Sequence, residues 1–136
     1  MMASGQGEHA APQYVLQGPS GGEQASFVLE AMDGCTVVFA RGEIDLAASP
    51  IMREVMTKAV ESCRHVIVDL SAVSFLDSTG LGVLLGTHKT VAAARRSMSL
   101  AGPCGFVAKV LSITRIDEAI PVHPDLDTAL SATHPE

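Results

Sequence analysis

The residues best placed to do chemistry lie in Phe75-Leu76-Asp77-Ser78-Thr79-Gly80-Leu81-Gly82. An apolar run, Val66-Ile67-Val68-Asp69-Leu70, precedes them without polar alternation, as expected of a strand covered on both faces. After them, apolar residues recur at helical spacing through Leu81, Leu84, Leu85, His88 and Val91. Ser78 therefore falls where a buried strand ends and a helix begins, beside unpaired backbone N–H groups and the positive end of the helix dipole. Two uses for its hydroxyl follow. It caps the helix, or it carries an anion such as a phosphoryl group.

Other reactive residue types make weaker patterns. His9, His65, His88, His123 and His134 are scattered without metal-ligand spacing. Cys35, Cys63 and Cys104 are odd in number and form no CxxC, so buried free thiols in a reducing compartment are expected. Gly18-Pro19-Ser20-Gly21-Gly22 spells G-x-S-x-G, but no strand precedes the serine and no helix follows it, as a hydrolase elbow requires. Gly80, Gly82 and Gly86 read G-x-G-x-x-x-G, without a phosphate-loop lysine and inside the helix rather than ahead of it. The expectation is a non-enzyme, with no catalytic residue, metal site or cofactor.

Those three glycines still require a reason, since each costs about 1 kcal/mol relative to Ala in a helix interior. Gly82 and Gly86 share a face that Lys89 and Ala93 continue. Either the helix packs closely there, or the strip is exposed and a partner's backbone approaches it. Large apolar residues already claim the inner face, which favours the exposed strip, with Gly80, Gly82, Gly86 and Lys89 as partner-binding positions.

Composition narrows the partner class. The chain has 136 residues, 47% hydrophobic and only 4% aromatic, with no Trp and a net charge of −6. Its Lys and Arg are scattered, so the basic footprint and stacking aromatics of a nucleic-acid reader are missing. No signal-peptide pattern opens the sequence, and no apolar run approaches the ~20 residues that span a bilayer. A soluble, cytoplasmic protein without membrane insertion is expected.

The elements that must position Ser78 can be read in order. Residues 1–24 are rich in Gly, Ala, Pro, Ser and Gln and read as a flexible tail, with Tyr14-Val15-Leu16 as a brief extended piece. One domain follows over 25–133. Phe27–Ala31 and Thr36–Ala40 are strand-like around the turn Met32-Asp33-Gly34, and the second strand runs out at Gly42-Glu43-Ile44-Asp45. Glu43 and Asp45 are placed to rim the same sheet edge as the Ser78 loop. Ser49-Pro50 supplies an N-cap and a first-turn proline to an amphipathic helix over Ile51–Cys63. The strand 66–70, a helix over 79–95 and a strand at Met98–Ala101 come next. A helix with Phe106, Val107, Val110, Leu111 and Ile113 on its apolar face follows, then an edge strand at Ile120-Pro121-Val122 and a last helix capped by Asp125. A hairpin followed by alternating strands and helices predicts an α/β fold, a small mixed β-sheet with helices packed on it.

The G-E-I-D of Gly42–Asp45, the block V-I-V-D-L-S-A-V-S-F-L-D-S-T-G-L-G-V-L-L from Val66, and V-x-x-V-L-x-I-T-x-I-D from Val107 together resemble the STAS domain family, and within it the bacterial anti-anti-sigma factors. The likeness runs from about Phe27 to Leu130. It implies a STAS-like domain that binds an anti-sigma factor, a serine kinase, and so releases a sigma factor. In that family the serine after the aspartate is phosphorylated by the kinase and restored by a serine phosphatase, which carries over to Ser78. Asp45, Asp77 and Thr79 flank the switch, and Thr79 is not the primary site. The module would be a monomer or a weak homodimer. Arg95-Arg96-Ser97 stands where many relatives carry glycines. Alternatives are a STAS module in a stress-signalling or lipid-transport complex, and a nucleotide-binding domain.

Overall fold

Asp33 and Gly34 both take positive φ, 49° and 81°, the backbone of a tight two-residue hairpin turn. They join β2 (Glu23–Met32) to β3 (Cys35–Ile44), antiparallel from Ala25 opposite Gly42 to Met32 opposite Cys35. The structure, a computed structural model, describes residues 12–133. Within that range, residues expected to belong to a flexible tail form a strand instead. Gln13–Gln17 forms β1, paired antiparallel with β2, and Tyr14 and Leu16 pack on the core. Gly18–Gly22 closes the turn between them, the Gly18 N–H donating to the Gly22 carbonyl at 2.6 Å. Two alternating apolar residues are enough to anchor a strand once a neighbour supplies its ladder. The earlier part of the tail with His9, and the end with His134, lie outside the described residues.

From β3 onward the chain alternates: α1 (Ser49–Ser62), β4 (His65–Leu76), α2 (Ser78–Ala93), β5 (Ser97–Ala101), α3 (Gly105–Ile113), a short α4 (Ile116–Ala119) and β6 (Val122–His123). The sheet order is β1-β2-β3-β4-β5-β6, with every pair from β3 to β6 parallel. Right-handed crossovers that all step in one direction place their helices on one face. There Met52, Val55, Met56, Leu84, Val91, Val107 and Leu111 bury against Val38, Val66, Val68 and Leu70. The last helix, α5 (Leu126–Thr133), covers the opposite face, where Leu126, Ala129 and Leu130 meet Cys35, Val37, Ile67 and Ala101. This two-sided cover explains the unbroken apolar run of β4.

Several local expectations shift. β4 runs on to Leu76, its register against β3 slipping at Phe39/Arg41 and at Gly42/Glu43. Phe106 and Ile113 do not join the inner face of α3; they are 50% and 74% exposed. Cys35 alone is a buried thiol, burial pushing its pKa up; Cys63 is half-buried and Cys104 exposed. The edge strand begins at Val122, and Asp125 caps α5 by accepting the Thr128 N–H at 2.8 Å.

Candidate functional site

The site is built where β3 and β4 end side by side. Glu43 lies opposite Phe75 and Ile44 opposite Leu76, and the Asp77 N–H donates to the Ile44 carbonyl at 3.2 Å. Gly42 permits this ending. Its φ of 93° suits glycine, and a Cβ there would collide with the Gln24 backbone. Gln24, so placed, donates from Nε2 to the Asp45 carboxylate at 2.8 Å and to the Glu43 carbonyl at 3.2 Å. The sequence reading missed Gln24 because it lay in the supposed tail.

Asp45 fastens the entry to α1. Its Oδ1 accepts the N–H groups of Ala47 at 3.0 Å and Ala48 at 3.2 Å. The expected N-cap at Ser49 is therefore a correction. Ala48 holds the cap position, while Ser49 is the first helical residue, buried, with its hydroxyl donating to the Leu46 carbonyl at 3.0 Å. The Ser49 hydroxyl is spent on that carbonyl, and no side chain caps α1.

Asp77, by contrast, caps α2. It is the N-cap, accepting the N–H of Thr79 at 2.9 Å and of Gly80 at 3.2 Å, and the Thr79 hydroxyl at 2.5 Å. The Thr79 hydroxyl first, with the N–H groups of Gly80, Thr79 and Leu46, holds the Asp77 carboxyl below its ordinary range. The capping question raised by the sequence thus has an answer. Asp77 caps, and Ser78 is the first helical residue, exposed, with no hydrogen-bond partner for its hydroxyl among the described residues. Thr79, next along, is half-buried and its hydroxyl is tied.

The glycines divide. Gly80 is buried, and a Cβ there would sit 2.5 Å from Leu76 Cδ1 and 3.0 Å from Ile44 Cγ2. Its absent side chain seats α2 on the two strand ends, so Gly80 presents no surface to a partner, contrary to the expectation. Gly82 and Gly86 are exposed with nothing within 4 Å of a notional Cβ. They line a cleft of about 430 Å³ between α1 and α2, with Arg53, Met56, Val60 and Thr90 among its walls. Lys89 is exposed but does not line that cleft, and Glu43 is exposed at the strand end.

Apolar surface also gathers at this end, and the sequence reading did not select it. Phe75, 38% exposed, stacks on Phe106 with ring centroids 5.4 Å apart and planes 8° from parallel. Leu46, whose backbone N–H faces the Asp77 carboxylate, is 70% exposed. Exposed large apolar side chains at one end of the fold are the kind of surface that macromolecules bind. The available signal was the odd phase of Phe106, one residue ahead of the buried pair Val107 and Leu111.

No described helix is long and apolar enough to cross a membrane. A family model described as the STAS domain matches residues 26–129. The chain is similar to the anti-sigma F factor antagonist of Paenibacillus polymyxa, 28% identical over 105 residues, which cover 76% of this chain and 90% of that one. It is 33% identical over 81 residues to the anti-sigma-B factor antagonist of Bacillus subtilis, covering 60% and 74% of the two chains. The crystal structure of an anti-sigma factor antagonist from Mycobacterium paratuberculosis superposes with a TM-score of 0.77 at 29% identity, over 88% of this chain and 100% of that one.

Proposed function

The chain belongs to the STAS domain family, and from that premise we propose that it is an anti-sigma factor antagonist switched by phosphorylation at Ser78. Unmodified, it binds a cytoplasmic anti-sigma factor through the surface around Ser78, Leu46, Phe75 and Phe106, and a sigma factor is freed. The anti-sigma factor is a serine kinase that phosphorylates Ser78, and a serine phosphatase restores it. The chain is the phosphoryl acceptor and catalyses nothing itself. The observation that carries this reading is the pairing of an exposed, unengaged Ser78 hydroxyl with a neighbouring Thr79 hydroxyl that is already bound.

The switch follows from charge. A phosphoryl group brings close to two negative charges. A helix N-terminus favours an anion by ~0.3–1 kcal/mol, but Asp77 already occupies the Thr79 and Gly80 donors. Where Asp45 or a carboxylate of the partner lies about 5 Å away, it opposes each added charge by about 3 kcal/mol at an effective dielectric of about 20, less under salt screening. Repulsion therefore outweighs the dipole, and a partner packed over Leu46 and Phe75 has to bury a dianion. A loss of about 3 kcal/mol is roughly a hundredfold in affinity.

The test is titration of an anti-sigma factor kinase with the wild-type chain, Ser78→Ala and Ser78→Asp, with phosphate mapped by mass spectrometry after incubation with ATP. Wild type and Ser78→Ala bind alike, Ser78→Asp binds roughly a hundredfold more weakly, and the phosphate maps to Ser78. Phosphate on Thr79, or equal binding by Ser78→Asp, overturns the reading.

A further inference from the structure

The two edges of the sheet are finished in opposite ways. On one side β6 is two residues long, Val122–His123, with Pro121 before it and Pro124 after it. Short strands and flanking prolines are the usual means of keeping an edge from pairing with another chain. On the other side β1 is five residues long, Gln13-Tyr14-Val15-Leu16-Gln17, without a charge or an internal proline. Among the described residues nothing pairs with its outer edge.

Its backbone phase can be fixed. The Leu29 N–H donates to the Pro12 carbonyl at 3.1 Å, so Pro12 turns toward β2. Directions alternate along a strand, so Tyr14 and Leu16 also turn toward β2, while Gln13 and Val15 direct their N–H and C=O groups outward; the register against β2 shifts only past Leu16, where Gln17 lies opposite Glu23. Outward groups centred on Val15 suit one arrangement well, because the strand is symmetric in residue character about that position. In an antiparallel pair across a two-fold axis, Val15 faces Val15 of a second copy, Gln13 faces Gln17, and Tyr14 faces Leu16. The glutamine amides can bond to each other on one face. On the other face Tyr14 and Leu16, half-buried against the core of their own copy, cover each other. Each side chain meets one of its own kind, and no other register joins all five residues.

We propose that this chain forms a homodimer by antiparallel pairing of β1 with β1, extending two six-stranded sheets into one of twelve, with Val15 on the two-fold axis. The Ser78 surface lies at the ends of β3 and β4, away from this edge, and is free in both copies.

The test is sedimentation equilibrium of the full chain and of Val15→Lys and Val15→Glu, alone and mixed. Val15 is 38% exposed, so both variants are expected to fold, with far-UV circular dichroism and melting as the check. Wild type dimerises. Each variant alone sets like charges on the axis and weakens the dimer at least about tenfold. An equimolar mixture of the two recovers a heterodimer. As a second readout, Val15→Cys in a Cys63→Ser, Cys104→Ser background is joined to its copy at position 15 by a short bifunctional thiol crosslinker, since facing hydrogen-bonded residues stand about 5.5 Å apart at Cα. A wild-type chain that stays monomeric at every concentration overturns the proposal, as does a dimer indifferent to Val15→Lys or a crosslink absent at position 15.

Discussion

Ser49 and Ser78 each hold the first position of a helix that leaves the same end of the sheet, and each follows shortly after an aspartate, Asp45 binding the N–H groups of Ala47 and Ala48 in the turn ahead of its helix and Asp77 those of Thr79 and Gly80 at the start of its own. Yet Ser49 is sealed, its hydroxyl donating to the Leu46 carbonyl, and Ser78 stands in solvent without a partner among the described residues. The difference comes from the connection. Asp45 is four residues ahead of Ser49, and the turn between them folds Leu46 outward and Ser49 inward. Asp77 is the immediate neighbour of Ser78, and so takes the cap itself and leaves the serine on the outer side. Residue type and helix position are shared. The spacing from the aspartate decides which hydroxyl reaches solvent.

The sharpest way to break the comparison is to charge both serines. Ser49→Asp buries a carboxylate and is expected to lose about 3 kcal/mol or more in urea unfolding. Ser78→Asp is expected to leave stability within about 0.5 kcal/mol, its effect falling on partner binding instead. If both variants unfold alike, the distinction fails.

The next largest effects lie in the glycines behind Ser78. Gly80→Ala forces a methyl onto Leu76 and Ile44 and should destabilise by about 1–3 kcal/mol. Gly82→Ala and Gly86→Ala meet open space and should stabilise by up to about 1 kcal/mol each, measured by the same unfolding. A partner that packs its backbone on that strip would bind both variants less well despite their added stability.

Asp77 gives the smallest change. Its folded pKa lies below the ordinary 3.8. The carboxylate's contribution is therefore present above that value and is lost as pH falls through the folded one. Asp77→Asn keeps an acceptor at the cap and should change neutral-pH stability little, while flattening the loss of stability below about pH 4. Melting temperatures across pH 2.5–7 decide it. An unchanged acid limb would mean that Asp77 does not hold this cap.

Much of the frame was legible because its signals are periodic or chemical. The Asp33-Gly34 turn, the apolar stripe of α1 and the doubly covered run of β4 each follow from one local rule. What escaped depended on pairing across the chain. Tyr14 and Leu16 are too few to announce a strand until β2 is beside them. Gln24 became visible as the clamp on Asp45 only when β2 met Gly42. Phe106 looked like a core residue by type, and its stacking on Phe75 leaves it at the surface. For the site, the family resemblance already set Ser78 apart from Thr79, but local sequence could not show how either hydroxyl is engaged. The structure adds one hydrogen bond, from the Thr79 hydroxyl to Asp77.

Because Asp77 has already engaged the amides at the start of α2, a phosphate at position 78 would find no cradle in its own protein. It would project into water, held by its ester alone, where a hydrolase could reach it as readily as the kinase had reached the alcohol. A mark that its bearer does not grip is one that can be erased quickly, and the lifetime of the signal is then set by the enzymes around the protein and not by the protein.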